Sequence, residues 1–273
     1  MKYKFNDDTL IHGIGFKPIK LEGILKYGIV TENYAKSNNI PYSRNYNFTL
    51  SKEMLDKVGN IDANKQLEDA NKSNIFLVRY LYVSDDPLSA YNMYIKNGIS
   101  MIVEDISFIY DKGTELIKRS DEVIVKDYIS KDNIKSIMIP EEYKDKYLYE
   151  VNMLPSNILN YGLIKESTIN LIKYLQNYDY KVELDELSYL LKDLKIAYLS
   201  VNSLENNNPD YIDALNDYKE IISDINNLLS EYVYECFSNM LGCDATVLDM
   251  VNCINSKYDN KEIVYLEGKG RRK

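Results

Sequence analysis

Ser120-Asp121-Glu122-Val123-Ile124-Val125 is the stretch on which the reading of this chain turns. It sets a carboxylate at the mouth of an apolar strand, directly after Lys118 and Arg119. Acidic residues are depleted in strands, which favour β-branched and aromatic side chains. Taken alone, Glu122 reads as a solvated edge residue; beside other polar residues at strand ends it reads as part of a site. The apolar pattern continues through Lys126 to a Ser-Lys-Asp turn at 130–132, and a second strand at 134–139 is closed by Pro140.

Upstream, residues 9–14 read as a short buried strand ending in His12-Gly13. A helix follows at 17–26, with Pro18 in its first turn, Ile19, Leu21, Ile24 and Leu25 on its apolar face, and Gly28 placed to stop it. Residues 33–45 are polar and loop-like. At 46–51, Tyr46, Phe48 and Leu50 alternate with Asn47, Thr49 and Ser51, the period-2 pattern of a strand. Residues 52–58 suggest a helical turn ended by Gly59, and 60–74 a loop or a loose helix. Further strands are expected at 75–83 and 99–109, with a helix between them started by Ser84-Asp85-Asp86-Pro87, and 111–121 is a polar connection. Strands separated by short helices argue for a mixed sheet domain over residues 1–152.

Beyond Pro155 the period changes to that of helices, at 156–176, 184–201, 209–241 and 245–256. The third is the clearest, with Tyr211, Leu215, Tyr218, Ile222, Ile225, Leu229, Tyr232, Val233 and Met240 on one face. Such a stripe is core far more often than ligand site. The expected fold is therefore α+β: a mixed β-sheet domain with short helices at 1–152, then an all-α bundle or cap at 153–273 ending in the basic tail Gly268-Lys269-Gly270-Arg271-Arg272-Lys273.

The net charge of −9 lies mostly in residues 151–273, which argues against that half as a general nucleic-acid binder. Three cysteines, Cys236, Cys243 and Cys253, suit neither a disulfide framework nor a thiolate zinc site. One histidine, His12, rules out a His-rich metal centre, and no metal is expected. No apolar run reaches the roughly 20 residues that span a bilayer, and the N-terminus lacks an apolar signal core. A cytoplasmic protein without a membrane partner is expected.

No phosphate-loop lysine, G-x-G-x-x-G, H-E-x-x-H or G-x-S-x-G is present. Three polar signals remain, all at strand ends: His12-Gly13, Thr49-x-Ser51 with Tyr46 just before it, and Glu122. In this order they resemble the ADP-ribosyltransferase superfamily, whose histidine–tyrosine–glutamate branch begins with His-Gly. Residues 121–125, followed by Ile134-Lys135-Ser136-Ile137-Met138-Ile139-Pro140, resemble the glutamate segment of DarT-type DNA-modifying toxins. Asn47-Phe48-Thr49-Leu50-Ser51-Lys52 resembles the superfamily's Ser-x-Ser/Thr strand. The resemblance covers residues 8–140.

It implies an NAD-dependent mono-ADP-ribosyltransferase, with NAD as substrate. His12 would bond the NAD ribose and the backbone of Gly13 the nicotinamide amide. Tyr42 or Tyr46 would stack on the nicotinamide ring. Thr49 and Ser51 would orient Glu122, and Glu122 would bind the ribose 2′-hydroxyl and stabilise the cation as nicotinamide leaves. Arginine-modifying relatives carry Glu-x-Glu, but residue 120 is Ser, so arginine modification by that route is not expected. The implied partner is a macromolecular acceptor, protein or nucleic acid, in the manner of a bacterial toxin or effector, with an antitoxin or partner protein on the helical half. Lys17, Lys20, Lys26, Arg44 and Lys52 permit a local basic patch. Two other readings stay open: a non-catalytic interaction protein with a transferase-like fold, and an NAD glycohydrolase with water as acceptor.

Overall fold

The structure, a computed structural model, describes residues 9–41, 72–79, 98–104, 122–154, 160–205 and 207–266. Within them the chain is α+β, and its contacts gather into two compact units. The first comprises Met1–Tyr42, Leu50–Asp145 and Val247–Lys273; the second comprises Ser43–Thr49 and Lys146–Thr246.

The first unit is built on a six-stranded sheet. Its strands are β1 (Leu10–Gly15), β3 (Asn74–Arg79), β4 (Ile99–Val103), β5 (Glu122–Lys126), β7 (Ile134–Pro140) and β8 (Glu262–Leu266), in the order β5-β3-β1-β4-β7-β8. Neighbours are antiparallel except β7 and β8, which run parallel. All five residues of β4 are buried, as are Ile134 and the Ser136–Pro140 stretch of β7. Strands covered on both faces read as unbroken apolar runs rather than alternating ones, which is why Ile-Ser-Met-Ile-Val and Ser-Ile-Met-Ile-Pro stand out in the sequence.

Helix α1 (Pro18–Tyr27) forms where the sequence predicts it. Proline at its first position loses only an N–H that has no helical partner there. Leu21, Ile24 and Leu25 are buried, and the Gly28 N–H closes the helix on the Ile24 carbonyl at 2.8 Å. Gly28 has φ 88°, and a Cβ there would lie 2.3 Å from the Ile129 carbonyl oxygen, so both conformation and space require glycine. Strand β2 (Ile29–Val30) follows, and pairs with β6 (Tyr128–Ile129) in a separate two-stranded ribbon.

Residues 33–45, expected as a loop, contain a short helix, α2 (Glu32–Ser37). The Thr31 hydroxyl caps it by accepting from the Tyr34 N–H, and Lys36 pairs with the buried Glu32. With Ala35 its one buried apolar side chain, the helix has no apolar period for a sequence reading to detect. The strand opened by Glu122 is also shorter than its apolar run. Asp127, at φ 63°, ends β5, donating to the Ser73 carbonyl and accepting from the Thr31 N–H.

The second unit carries α3 (Tyr161–Gln176), α4 (Leu184–Ser203) and α5 (Asp210–Leu241), matching the predicted helices with shifts at their starts and ends. Tyr218, Ile225, Leu229, Val233 and Phe237 of α5 are buried in its core with Leu187 and Leu194 of α4 and Ile164 and Leu175 of α3. Full burial of each such side chain is worth about 1.5–3 kcal/mol. The 146–154 segment is tied to α5 by polar groups. Asn226 Oδ1 accepts from the N–H groups of Met153 (2.7 Å) and Leu154 (3.2 Å), and the buried Ser230 hydroxyl sits 2.8 Å from the Val151 carbonyl.

The expectation of a purely helical 153–273 fails at its end. Helix α6 (Val247–Asn255) packs on α1, and β8 then joins the sheet of the first unit. Asn255 makes this return: its side chain donates to the Lys261 carbonyl (2.8 Å) and accepts from the Lys261 N–H (2.9 Å), fixing the chain one residue before β8. The Tyr258 hydroxyl donates to Glu22 of α1 at 2.8 Å. Glu-Ile-Val-Tyr-Leu is short, lies at the sheet edge and buries only Val264, so it leaves a faint strand signal. The compact units divide at 42/43, 49/50, 145/146 and 246/247. At this crossing the two chain segments are cross-bonded. Leu248 N–H meets the Lys144 carbonyl at 3.2 Å in the first unit, and Tyr147 bridges Thr246 in the second.

Candidate functional site

Hydrogen-bond pairing between β1 and β3 consists of Leu10 with Arg79 and Ile11 with Val78, and goes no further. Beyond Ile11 the backbone of β1 gives β3 no partner, and the His12 side chain takes over. Its Nδ1 lies 3.1 Å from the Phe76 carbonyl oxygen. A carbonyl oxygen only accepts, so Nδ1 carries the proton and Nε2 is left as a lone-pair acceptor. Burial, and then the nearby charge of Lys20, push the His12 imidazole down to about 3, outweighing the opposing effect of the Phe76 bond. The ring is therefore neutral at physiological pH. His12 is half-buried and Gly13 exposed. On its other side β1 pairs with β4, Gly13 opposite Ser100, and bulges between Gly13 and Gly15.

Lys20 lies near enough for its charge to act on this histidine, and in turn on Lys17. Lys17 is the N-cap of α1, with no side-chain cap bond, and its carbonyl accepts from the Leu21 N–H. Lys20 is one turn on, and residues three apart on a helix are neighbours. Burial followed by the charge of Lys20 lowers the Lys17 ammonium to about 7, and burial lowers Lys20 to about 8. No acid stands in the first turn of α1. Cations at a helix N-terminus oppose the macrodipole. In the sequence these lysines stand out only as members of the broader basic patch.

Glu122 enters as a backbone position at the start of β5, opposite Val78 of β3, which is itself opposite Ile11 of β1. Two strand spacings, roughly 10 Å, separate the Glu122 and Ile11 backbones. Registered positions share a face of a regular pleat and alternate positions lie on opposite faces. The Glu122 position thus shares the face of Ile11, and the His12 position falls on the other face as far as the pleat stays regular. The structure brings His12, Gly13 and Glu122 into one sheet with only β3 between their strands. Tyr42, Tyr46, Thr49 and Ser51 lie outside the described residues.

Among the described residues, no group of three or more His, Cys, Asp or Glu side chains is placed to hold a metal ion. Among the described residues, no helix is long and apolar enough to cross a membrane. The cysteines are free, Cys236 buried and Cys243 exposed. Comparison with known protein families, with characterised proteins and with solved structures finds no match to this chain.

Proposed function

We propose that the chain is an NAD-dependent mono-ADP-ribosyltransferase of the toxin or effector kind, acting on a protein or nucleic-acid acceptor. The observation that carries this reading is the sharing of one sheet by β1, with His12-Gly13, and β5, opened by Glu122, with only β3 between them. A neutral imidazole with its Nδ1 proton committed to Phe76 offers Nε2 to a ribose hydroxyl. The exposed Gly13 leaves backbone open to an amide, and the Gly13 position shares the Glu122 face.

In the proposed reaction the bond from ribose C1′ to the nicotinamide nitrogen breaks, and its electron pair leaves with nicotinamide. The acceptor's nucleophilic atom forms the new bond to C1′ and gives up its proton. Glu122 stabilises the positive charge that builds on the ribose between the two events.

A second reading, an interaction protein without catalysis, is favoured by the one-residue offset between His12 and Glu122 in the sheet register. Nicotinamide release from NAD by the purified chain, with and without host lysate as acceptor source, separates the two. The transferase reading expects release that drops by about 100-fold in Glu122→Gln, the size of one lost transition-state contact. Absence of release with lysate present, together with absence of NAD binding by calorimetry, would overturn the transferase reading and turn attention to the helical half as a partner-binding surface.

A further inference from the structure

We infer that Tyr147, Tyr149 and Tyr234 of the second unit, with the Asp244 carboxylate, form a docking platform for an arginine side chain of a partner polypeptide. The assignment stands on the second unit alone and holds whether or not the first unit is a transferase.

The platform begins as an alternation in sequence, Tyr147-Leu148-Tyr149, leading into a short 3-10 turn over Leu148–Glu150. Leu148 is fully buried, and its N–H donates to the Ala245 carbonyl at 3.2 Å. The tyrosines on either side are turned outward, 37% and 44% exposed. Their rings lie 16° from parallel with centroids 5.5 Å apart, and Tyr234 of α5 stands nearly perpendicular to both, at 6.1 and 5.1 Å. Tyr147 also bridges Thr246, so segments distant in sequence hold the rings in place before any partner arrives. Tyrosine is enriched at binding surfaces because it offers a large, rigid contact area with little rotamer freedom to lose. Charge selects what these rings receive. Residues 146–246 carry seven lysines, no arginine and sixteen acids. At the rings, the Tyr234 hydroxyl donates to Asp244 Oδ1 at 2.8 Å, and Asp244 is exposed, so its Oδ2 is open to a donor. Glu150 Oε2 accepts from the Tyr147 N–H at 2.8 Å. Ring faces and carboxylates both attract a cation, while the excess of acid repels the phosphates of a nucleic acid whose bases could otherwise stack here. Spacing then selects the cation. A group held between two rings needs about 7 Å, two contacts of about 3.5 Å. The gap between Tyr147 and Tyr149 is at most 5.5 Å, so nothing enters it and only outer faces are free. An open face suits a flat guanidinium, which stacks on an aromatic ring and forks onto a carboxylate at once. A compact ammonium gains most when aromatic rings enclose it, which this arrangement does not do. Leu241, two helical turns on from Tyr234 along the same face of α5, is exposed and extends the patch for an apolar residue beside the arginine.

The test titrates the full, isotope-labelled chain by NMR with blocked glycine peptides carrying two arginines, two lysines or two citrullines, and with an oligothymidylate. Citrulline keeps the planar shape of arginine without its charge. The platform predicts that the arginine peptide shifts the signals of Tyr147, Tyr149 and Asp244 and binds at least about fivefold more tightly than the lysine peptide. The citrulline peptide and the oligothymidylate leave those signals unmoved. Tyr149→Ala and Asp244→Asn each weaken the arginine peptide by about fivefold or more, whereas Tyr149→Phe, which keeps the ring face, binds as the native chain does. Melting curves of the variants separate lost binding from lost folding, and Asp244→Asn, at an exposed position and still able to accept from Tyr234, carries the test should Tyr149→Ala unfold. Equal binding of the lysine or citrulline peptide, shifts confined to other residues, a preference for the oligothymidylate, or unchanged affinity in a folded Tyr149→Ala or Asp244→Asn each overturns the platform. So does a native chain that binds no arginine peptide. None of these readouts involves NAD or nicotinamide, so the transferase reading stands or falls separately.

Discussion

Two glycines of the same helix should respond to alanine with opposite signs. Gly23 lies inside α1, with nothing within 4 Å of where a Cβ would sit. Glycine in a helix interior costs about 1 kcal/mol relative to alanine, most of it through the freedom of the unfolded chain. Gly23→Ala should therefore stabilise the first unit by about that amount, or roughly 2–4 °C in melting temperature for a unit of this size. Gly28, five residues on, is held at φ 88°, which costs a side-chain-bearing residue about 1–3 kcal/mol. Its new Cβ would also stand 2.3 Å from the Ile129 carbonyl oxygen, 2.9 Å from the Tyr128 ring and 3.1 Å from the Lys131 N–H. Two of these three are backbone, so the β2–β6 ribbon must move away from the helix, at about another 1–3 kcal/mol. The combined loss of about 2–6 kcal/mol should lower melting by roughly 4–24 °C. Calorimetric scans of native chain, Gly23→Ala and Gly28→Ala under one buffer make the comparison. A Gly28→Ala protein melting at or above the native temperature would refute the packing of α1 against the ribbon.

Other outcomes follow from the same structure. Asn226→Ala should destabilise the second unit by about 1–3 kcal/mol, because the Met153 N–H loses its acceptor while the Leu154 N–H keeps Asn152 Oδ1 at 2.9 Å; urea unfolding measures it. Asn255→Asp keeps the acceptor for the Lys261 N–H but sets a carboxylate against the Lys261 carbonyl in a buried position. A loss of about 2 kcal/mol is expected, with amide exchange of β8 rising before that of β1, β3 and β4. The lysine pair sets an unusual pH dependence. Native Lys17 and Lys20 titrate at about 7 and about 8, whereas the unfolded chain holds those protons up to about 10.5. Over that interval the unfolded state binds more protons, so stability of the first unit should rise between pH 7 and 10. Above 10 the trend reverses, because burial raises Tyr258 to about 12 and its folded form keeps a proton that the unfolded form loses. Urea midpoints at pH 7.0, 8.5 and 9.5 that stay level would show the lysines to be ordinary solvated ones.

Much of the first unit was legible because its strands are covered on both faces. Ile99–Val103 and Ile134–Pro140 announce themselves as apolar runs. The helix at Pro18–Tyr27 carried start, stripe and stop in one stretch. What escaped was decided by partners distant in sequence or by side-chain contacts that leave no apolar period. Glu262–Leu266 is a strand because β7 offers it an edge, and Glu32–Ser37 is a helix because Thr31 caps it and Lys36 pairs with Glu32. The break at Asp127 depends on Ser73 and Thr31, which no local pattern foretells. At the candidate site, the sequence named His12, Gly13 and Glu122 and the strands that carry them. It could not supply the register that offsets Glu122 from His12, nor the proton that Phe76 fixes on Nδ1. Lys17 and Lys20 were visible only as members of a broad basic patch; burial and mutual proximity, both tertiary properties, single them out.

The cross-bonded pair of segments at 144–148 and 245–248 makes residues 146–246, the larger part of the second unit, an insert within the chain of the first; Ser43–Thr49 comes to that unit from a separate segment. The insert's two ends leave and re-enter at neighbouring points, since Lys144 and Leu248 share a hydrogen bond and Tyr147 and Thr246 a bridge. A linker of roughly four small residues would therefore span the excision point from 145 to 247. The helical unit, whose ends also lie together, is a natural subject for circular permutation. Kinetically, β8 must find β7 across roughly 125 residues of chain. A folded insert reduces that search to one across a short loop, a saving of about 1–2 kcal/mol in closure entropy. Assembly of the sheet's last strand is thus coupled to a unit whose own core it does not enter. A substitution that unfolds the insert should slow the closing of the sheet while leaving its other strands intact.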